Sequence, residues 1–445
     1  MQKGRVVPVF LREMTLKFTV FMNRQTRNYT ILLIYSVLSG IFGIGWWSGV
    51  SEQYIPLYIA ALGATPAMLG LLDSMGRATM SGISAPTGWI MDRYNLKKMM
   101  MIGMILQYVP SLVYILVGNI GFFFWWAIPL RIIDASARTL TMFSITLLIA
   151  ESLRDEDRAT GYSVRMTFSS IPGLVTPMLW AFIITASGGI NVSGIRPIFF
   201  ISIIGNTVLI LWIYLKLDVN NPGRLPNLNH KKPTAMKRLS GVLHDLQETF
   251  NVARGIKRWI LIACFDIYCF SSILGFIQLF AVEVKDANPF ILGLMGTVLT
   301  ATILLLTVPM GRLGDKIGRK KIVYIGLPPT YAWILLLLYT PSPIYLVVSW
   351  IFYGIACATF PVWSTITMEL VPTAYRGRFT GLRGLFTNLA SIPGALVAGL
   401  MWTIFDPTLP FLVALASESV AVILVKTIPE TLKKNHQPPM RVANP

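Results

Sequence analysis

The feature that most constrains this chain is a series of long apolar segments separated by short polar breaks. A helix needs about 20 apolar residues to cross the hydrocarbon core of a bilayer, and most of these segments reach that length. Only 13% of the residues are charged, against about 25% in soluble domains. The sequence therefore predicts an all-α membrane protein with twelve transmembrane helices. Segments 1 to 12 cover residues 30–59, 67–91, 99–118, 122–150, 160–186, 196–217, 258–281, 289–311, 321–340, 343–368, 378–404 and 408–428.

Basic residues are distributed unevenly among the polar breaks. The formal net charge is +18, which on its own would also fit a nucleic-acid partner. If the N-terminus lies in the cytoplasm, however, the outer breaks hold only Arg196 and Lys285 as basic residues. Membrane proteins keep their basic loops in the cytoplasm, where anionic lipid headgroups attract them. We therefore expect a multi-pass protein of the cell membrane, with both termini cytoplasmic and the lipid bilayer, not nucleic acid, as its partner.

The longest polar stretch lies between segments 6 and 7 and divides the chain into two sets of six. Its apolar residues recur at helical spacing, which predicts an amphipathic helix on the inner membrane surface; they are Leu239, Val242, Leu243, Leu246 and Phe250. We expect a monomer. Its predicted parts are a cytoplasmic N-terminal segment (1–29), an N-terminal six-helix bundle (30–217), a cytoplasmic linker (218–257), a C-terminal six-helix bundle (258–428) and a cytoplasmic tail (429–445).

The two halves repeat each other at nearly constant spacing. Gly88-x-x-x-Asp92 recurs as Gly311-x-x-x-Asp315, an offset of 223 residues. Glu151 and Arg158 recur as Glu369 and Arg376 at an offset of 218, and the Ile-Pro-Gly sequence at 171–173 recurs at 392–394. Internal repeats of this kind are typical of transporters, whose solute site lies between the halves near the middle of the bilayer.

On these motifs the chain resembles the major facilitator superfamily over residues 30–428. The stretch 311–321 fits the family's signature between segments 8 and 9 in nearly every position, whereas the copy between segments 2 and 3 has Asn95 where the family has a glycine. The Glu-x6-Arg pairs at 151/158 and 369/376 are also similar to the family. The resemblance implies two pseudo-symmetric six-helix bundles, with segments 1, 4, 7 and 10 lining a cavity.

The resemblance also implies a gate at the inner face. Asp92 would bridge to Arg376 or Arg383, and Asp315 to Arg158 or Arg165, holding the inner side shut until it opens. Arg165 and Arg383 lie deep enough to form either the gate or the floor of a solute site. The alternative is that these charges only anchor loops at lipid headgroups. The predicted gate comprises Gly88, Asp92, Arg93, Glu151, Arg158, Arg165, Gly311, Asp315, Arg319, Glu369, Arg376 and Arg383.

Charged residues inside the apolar segments are the second group of candidates, because a charge in the bilayer is costly and usually functional. In segment 4, Arg131, Asp134 and Arg138 share one helix face near the midplane, and in segment 2 Asp73 and Arg77 are four residues apart. Arg131 also falls where the family's proton antiporters carry an arginine, although Asp134 and Ala135 depart from that motif. A structural salt-bridge network is the alternative.

Glu52 and Asp266 are candidate proton carriers or cation contacts, and Trp46 and Trp363 are candidate aromatic walls of the cavity. Glu418 lies in the middle of segment 12, a helix that the resemblance puts at the periphery, so a structural or oligomer contact competes there with a functional role. The predicted substrate or proton pathway comprises Arg131, Asp134, Arg138, Glu52, Asp73, Arg77, Asp266, Trp46 and Trp363.

The sequence therefore predicts a secondary transporter for a small organic solute, coupled to protons. An anionic solute is favoured because arginines outnumber acids within the motif-bearing segments. Two alternatives remain, a proton-coupled multidrug efflux pump and a non-transporting membrane sensor. We expect no enzymatic activity, metal or cofactor, because the sequence shows no nucleophile–base cluster, metal-ligand set or phosphate-binding loop.

Overall fold

A computed structural model describes residues 26–43, 50–91, 93–117, 124–154, 157–218, 255–371, 375–428 and 430. The regular elements in these ranges are helices. They are α1 (Arg27–Ile41), α2 (Val50–Ala61), α3 (Pro66–Met91), α4 (Leu96–Leu106), α5 (Tyr108–Val117), α6 (Phe124–Ser152), α7 (Arg158–Ser170), a 3-10 turn (Ile171–Leu174), α8 (Thr176–Ala186), α9 (Val192–Lys216), α10 (Ile256–Ile273), α11 (Ile277–Glu283), α12 (Pro289–Ile317), α13 (Arg319–Tyr339), α14 (Tyr345–Cys357), α15 (Phe360–Glu369), α16 (Arg376–Ile404) and α17 (Leu409–Val425).

These helices confirm the predicted all-α membrane class. Within the described residues, nine helical stretches are long and apolar enough to cross a membrane, and they correspond to segments 3 to 11. Segments 2 and 12 form α3 and α17, of 26 and 17 residues. Segment 1 is divided between α1 and α2. The structure is thus consistent with twelve crossings.

Several segments are broken near their middle, and proline accounts for three of the breaks. Proline lacks an N–H and clashes with the preceding turn, so it suits the first turn of a helix and ends the helix before it. Pro110, Pro177 and Pro361 each lie in the first turn of a helix, namely α5, α8 and α15. Such breaks allow one half of a membrane-spanning segment to tilt against the other.

The signature predicted as a loop between segments 8 and 9 is mostly helical, which corrects the predicted end of segment 8. The helix α12 continues to Ile317, and Gly318 alone separates it from α13. Gly318 has φ +113°, a left-handed conformation that glycine adopts without strain. The Glu430 carboxylate then accepts hydrogen bonds from the backbone N–H groups of Arg319 (2.9 Å) and Lys320 (3.2 Å).

The equivalent helix start in the N-terminal half is capped differently. The Asn95 side chain accepts hydrogen bonds from the backbone N–H groups of Lys97 (2.9 Å) and Lys98 (3.3 Å), at the start of α4. Asn95 stands 223 residues before Gly318, so it is the departure from the family's glycine noted above. An asparagine caps the helix from within the loop, whereas the glycine leaves that task to Glu430.

Lys97 and Lys320, also 223 residues apart, make equivalent contacts. The Lys97 ammonium donates to two carbonyls at the end of α9, at 2.9 and 2.6 Å. The Lys320 ammonium donates to two carbonyls just after α17, at 2.9 and 2.8 Å. Cations stabilise helix C-termini, where carbonyl groups are left without partners. The sequence repeat is therefore matched by repeated contacts in space.

The two halves meet closely at one end. We call the end with the basic breaks after α3, α6, α12 and α15 the basic end, and the other the opposite end. Near the opposite end, a Cβ atom added at Gly70 of α3 would lie 2.4 Å from the Ala395 carbonyl oxygen of α16. One added at Gly399 would lie 2.5 Å from the Pro66 carbonyl oxygen. Only glycine permits this backbone approach.

The same closeness is found between α8 and α12. A Cβ atom added at Gly293 would lie 2.9 Å from the Pro177 carbonyl oxygen, and one added at Gly296 would lie 3.0 Å from the Pro177 side chain. Toward the basic end the glycines of the facing helices have open space beside them; they are Gly82, Gly88, Gly311, Gly381 and Gly384. The halves are therefore closed together at the opposite end and separated at the basic end.

Candidate functional site

A cavity of about 770 Å³ lies between the two halves. Its walls come from α2, α3, α6 and the break between α7 and α8 on one side, and from α10, α12, α14, α15 and α16 on the other. The solute site of a two-bundle transporter was expected at this place. Because the halves separate toward the basic end, the cavity opens in that direction.

Five charged side chains of the N-terminal half are joined end to end on the cavity wall. Arg77 Nε lies 2.9 Å from Asp73 Oδ2, and Arg131 Nη2 lies 3.0 Å from Asp73 Oδ1. Arg131 Nη1 lies 3.1 Å from Asp134 Oδ2, and Arg138 Nε lies 3.0 Å from Asp134 Oδ1. We call this series Arg77–Asp73–Arg131–Asp134–Arg138 the ionic chain. Its three guanidinium groups exceed its two carboxylates by one positive charge.

Helix periodicity and one glycine position the ionic chain. The bonds within α3 and within α6 join residues three or four positions apart, as the sequence predicted. The bond between Asp73 and Arg131 joins two helices, and Gly76 leaves room for it. A Cβ atom added at Gly76 would lie 2.7 Å from Arg131 Nε. The guanidinium and carboxylate groups thus satisfy each other in a partly buried wall, where an unpaired charge would be costly.

The ionic chain has no equivalent in the C-terminal half. At the repeat offset of 223, Gly296 and Thr300 of α12 stand where α3 has Asp73 and Arg77. At the offset of 218, uncharged residues replace the two arginines of α6; they are Ser349 and Ala356. The scaffold is therefore repeated, while the charged wall belongs to one half.

Aromatic rings form much of the wall contributed by the C-terminal half. The ring of Phe270 lies 5.7 Å from that of Phe360 and 6.4 Å from that of Tyr353, between centroids. Trp363, predicted from the sequence, lines the cavity and stacks on Trp259 at 5.4 Å. These rings offer an apolar surface opposite the ionic chain.

Two charged residues lie among the rings. Asp266 of α10 and Arg383 of α16 both line the cavity and attract each other electrostatically. Arg383 Nε is buried and has no hydrogen-bond partner among the described residues. Arg383, predicted as part of the gate, thus lines the cavity in this structure, as does Asp266, which was predicted in the substrate or proton pathway. Glu418 is 3% exposed, so its side chain faces the interior of the bundle.

Some predicted positions lie outside what the structure describes. Trp46 and Asp92 are outside the described residues, as is the amphipathic linker helix. Glu52 lies in α2 and Arg376 begins α16, but their side chains are outside the description. Their assigned roles stay predictions.

Four of the predicted gate residues have contacts within their own half in this structure; they are Asp315, Arg319, Arg158 and Arg165. Asp315 forms an ion pair with Arg319, and Arg319 Nη2 lies 3.6 Å from Glu369 Oε1. Arg158 Nε donates to the Ala150 carbonyl at 3.2 Å, and Arg165 Nε donates to Ser36 Oγ at 3.3 Å. The predicted bridge between Asp315 and Arg158 or Arg165 is not formed with the basic end open. It remains a prediction for the closed state.

The remaining gate residues lie at the basic end. Arg93 is exposed and Glu151 is half-buried. Sequence reasoning missed several uncharged polar residues of the cavity, which differ from their neighbours only by being polar in an apolar segment; they are Gln278, Tyr353, Ser364, Asn388 and Ser391.

The geometry agrees with comparisons to known proteins. The chain is 23% identical over 84% of its length to the "Multi-drug resistance efflux pump PmrA homolog" of Lactococcus lactis, covering 89% of that protein. Its structure resembles a D-xylose–proton symporter (TM-score 0.66, 18% identity, 93% of this chain and 98% of that one). It also resembles the nucleoside transporter NupG (TM-score 0.65, 16% identity, 90% and 98%). These two likenesses show the fold. A model of the Major Facilitator Superfamily matches residues 35–295 and 259–443, and the chain therefore belongs to that family of membrane transporters.

Proposed function

We propose that this protein is a secondary active transporter that works by alternating access and moves small organic anions, coupled to protons. The observation that carries the proposal is the ionic chain on the cavity wall, with its excess of positive charge. Guanidinium groups present several N–H donors in a fixed plane that matches carboxylate and phosphate groups. A solute anion would therefore bind on the side of Arg77 and Arg131.

The aromatic wall narrows the solute further. Phe270, Phe360 and Trp363 line the side of the cavity that belongs to the C-terminal half. An anion with an aromatic or aliphatic body would place its charged group on one wall and its body on the other. The cavity volume of about 770 Å³ falls within the range of about 300–1,000 Å³ found for small-molecule sites.

Alternating access supplies the transport step. The basic end would face the cytoplasm by the distribution of basic residues, so this structure corresponds to the inward-open state. In the outward-open state the small-residue contacts of α3 with α16 would separate, and the predicted gate would close the basic end.

A second candidate is a proton-coupled efflux pump for amphipathic compounds. The aromatic wall would suit such compounds, and the relative from Lactococcus lactis is named as a multidrug efflux pump. The two candidates differ in the charge of the solute and in the direction of movement.

Purified protein in liposomes with an imposed pH gradient would distinguish them. Aromatic carboxylates, beginning with benzoate, and cationic dyes would be tested on the wild type, on Arg131→Gln and on Arg258→Gln. Arg258 is an exposed residue at the start of α10 and serves as the matched control. We expect carboxylate transport that Arg131→Gln abolishes and Arg258→Gln leaves intact.

Other outcomes would contradict the first candidate. Proton-driven extrusion of dyes that is lost in Asp134→Asn, without carboxylate transport, would support the efflux pump. Saturable binding with no flux of either solute class would support a sensor instead.

A further inference from the structure

Glu418 is a buried carboxylate that the cavity described above does not explain. It lies near the middle of α17, an apolar helix of 17 residues, and is 3% exposed. Its Oε2 atom has no hydrogen-bond partner among the described residues. An ionised carboxylate without a partner in an apolar interior is strongly disfavoured, and such a group keeps its proton.

Asp266 is the second carboxylate of this region. Ser417 Oγ of α17 donates to the Phe265 carbonyl of α10 at 2.9 Å. Ser417 directly precedes Glu418, and Phe265 directly precedes Asp266. The two carboxylates therefore lie at the same level of the interface between α10 and α17. The charge of Asp266 acts electrostatically on Glu418. Asp266 lines the cavity, whereas Glu418 is not among the cavity-lining residues.

The charges around the two acids balance with one proton. Among the described residues, Arg383 of α16 is the cation that acts on Asp266. Arg383 can balance the charge of one carboxylate. The other carboxylate has no cation to balance it and needs a proton to be neutral. Among the described residues, the other titratable groups around the pair are thiols and phenols, classes whose ordinary pKa values lie above 7; they are Cys264 and Cys269 of α10, Tyr353 and Cys357 of α14, and Tyr331 of α13, which contacts Ser419.

The carboxylates of the ionic chain differ from this pair. Asp73 and Asp134 each bond directly to two arginines at 2.9 to 3.1 Å. Each of these carboxylates is therefore balanced by guanidinium groups at bonding distance. A proton that binds and leaves during transport is therefore better accommodated at Asp266 and Glu418.

We propose that Asp266 and Glu418 form a two-carboxylate proton-binding site whose occupancy responds to the charge of a solute bound in the cavity. This inference rests on the proposed function, since it names the proton site of that transporter. With the cavity empty, the pair holds one proton and Arg383 balances the remaining negative charge. When the carboxylate of a solute binds at Arg131 in the same cavity, its negative charge disfavours the ionised carboxylate of the pair. A proton carried by water in the cavity then binds a carboxylate oxygen of the pair.

The sign of the coupling follows from this charge balance. A solute anion and a proton bind together, because the positive charge of the proton offsets the negative charge that the solute brings into the cavity. The transporter would therefore carry both in the same direction. A cationic solute would instead displace the proton and produce opposite movement.

Infrared difference spectroscopy during a pH titration tests the pair without any solute. The full-length protein in lipid nanodiscs would be compared with Glu418→Gln, Asp266→Asn and the control Glu283→Gln, an exposed carboxylate at the end of α11. We expect a protonated-carboxyl band near pH 7 that Glu418→Gln removes, that Asp266→Asn shifts and that Glu283→Gln leaves unchanged. A band that neither variant of the pair alters would overturn the proposal.

Proton uptake on addition of benzoate tests the coupling. Wild-type protein in weakly buffered solution should take up about one proton per benzoate bound, as one-to-one linkage requires. The double variant Asp266→Asn/Glu418→Gln should take up none per benzoate bound. Equal uptake by the double variant would refute the site. A wild type that binds no carboxylate contradicts the proposed function, while the infrared band still decides whether the pair holds a proton.

Discussion

Gly76 determines where Arg131 lies in the cavity wall. The guanidinium group of Arg131 is bonded to Asp73 and Asp134 on two different helices, and it passes directly beside Gly76. Any side chain at that position would occupy the space of the guanidinium group. The position of the Arg131 charge in the wall therefore depends on an uncharged residue.

Replacing Gly76 by alanine should weaken solute binding. The added methyl group would lie 2.7 Å from Arg131 Nε, so the guanidinium group would have to move. Its hydrogen bond to Asp73 or to Asp134 would then be weakened. We expect the affinity for a carboxylate solute to fall about ten-fold, which corresponds to about 1.4 kcal/mol. Equilibrium binding to the purified protein would measure this.

Gly82→Ala is the matched control for that prediction. Gly82 lies on the same helix, and an added Cβ atom there meets open space. Its affinity should stay close to that of the wild type. Equal weakening by both substitutions would show that the helix α3, and not the position of Arg131, is sensitive to alanine.

The sequence predicted only part of this wall. Spacing within one helix correctly placed Arg131, Asp134 and Arg138 on one face, because helical periodicity is a local property. The bond from Arg131 to Asp73 joins residues 58 positions apart. It depends on how closely α3 approaches α6, which no local pattern specifies.

At the scale of elements, the lysines beside the family signature hold helix ends together. Lys97 ties the start of α4 to the end of α9, and Lys320 ties the start of α13 to the end of α17. Each therefore links the third membrane-spanning segment of its half to the sixth.

Replacing Lys97 or Lys320 by methionine should destabilise the protein by similar amounts. Each substitution keeps an unbranched side chain but removes the donor for two carbonyls at a helix end. We expect the free energy of unfolding to fall by about 1–2 kcal/mol in each case. Thermal unfolding in detergent would show it as a lower midpoint.

The neighbouring lysines Lys98 and Lys321 provide the comparison. Both are exposed, and their replacement by methionine should change the midpoint little. A loss confined to one half, or equal in all four variants, would contradict the equivalence of the two contacts.

The bounds of the helices show why some sequence predictions failed. The end of α12 was placed at residue 311, whereas the helix continues to Ile317. Glycines near residue 311 indicated a loop, but Gly314 is a packing position, where an added Cβ would lie 3.3 Å from Ile322. In membrane helices, glycine often serves close packing and not chain reversal.

At the scale of the whole molecule, the two ends differ in how they close. The opposite end is closed by glycine, alanine and threonine, including a hydrogen bond from the Ala67 N–H to Thr403 Oγ1 at 3.0 Å. The predicted closure of the basic end uses charged residues. Each state would thus be stabilised by a different kind of contact.

Asp315→Asn should leave the protein folded in the membrane but slow its transport about ten-fold. With the basic end open, Asp315 pairs with Arg319. In the closed state we expect it to bridge to α7, and an amide would weaken that bridge by about 1.4 kcal/mol, a ten-fold change in population. Initial transport rates in liposomes would measure the effect.

Labelling of a cysteine introduced by Gly384→Cys, where there is open space, would report the state directly. Labelling should increase in Asp315→Asn and stay unchanged in Asp286→Asn, an exposed aspartate near the opposite end. The chain without the added cysteine corrects for its three free cysteines. Normal transport with unchanged labelling would exclude the gate.

The ionic chain also constrains how this protein can change during evolution. Because every member bonds to the next, losing one charge leaves a neighbour unbalanced in a partly buried wall. Single replacements would be disadvantageous, and selection would favour lineages in which charges are lost together or compensated by a nearby second change. The substitution history at these five positions should therefore be correlated, whereas the flanking aromatic positions can vary one at a time.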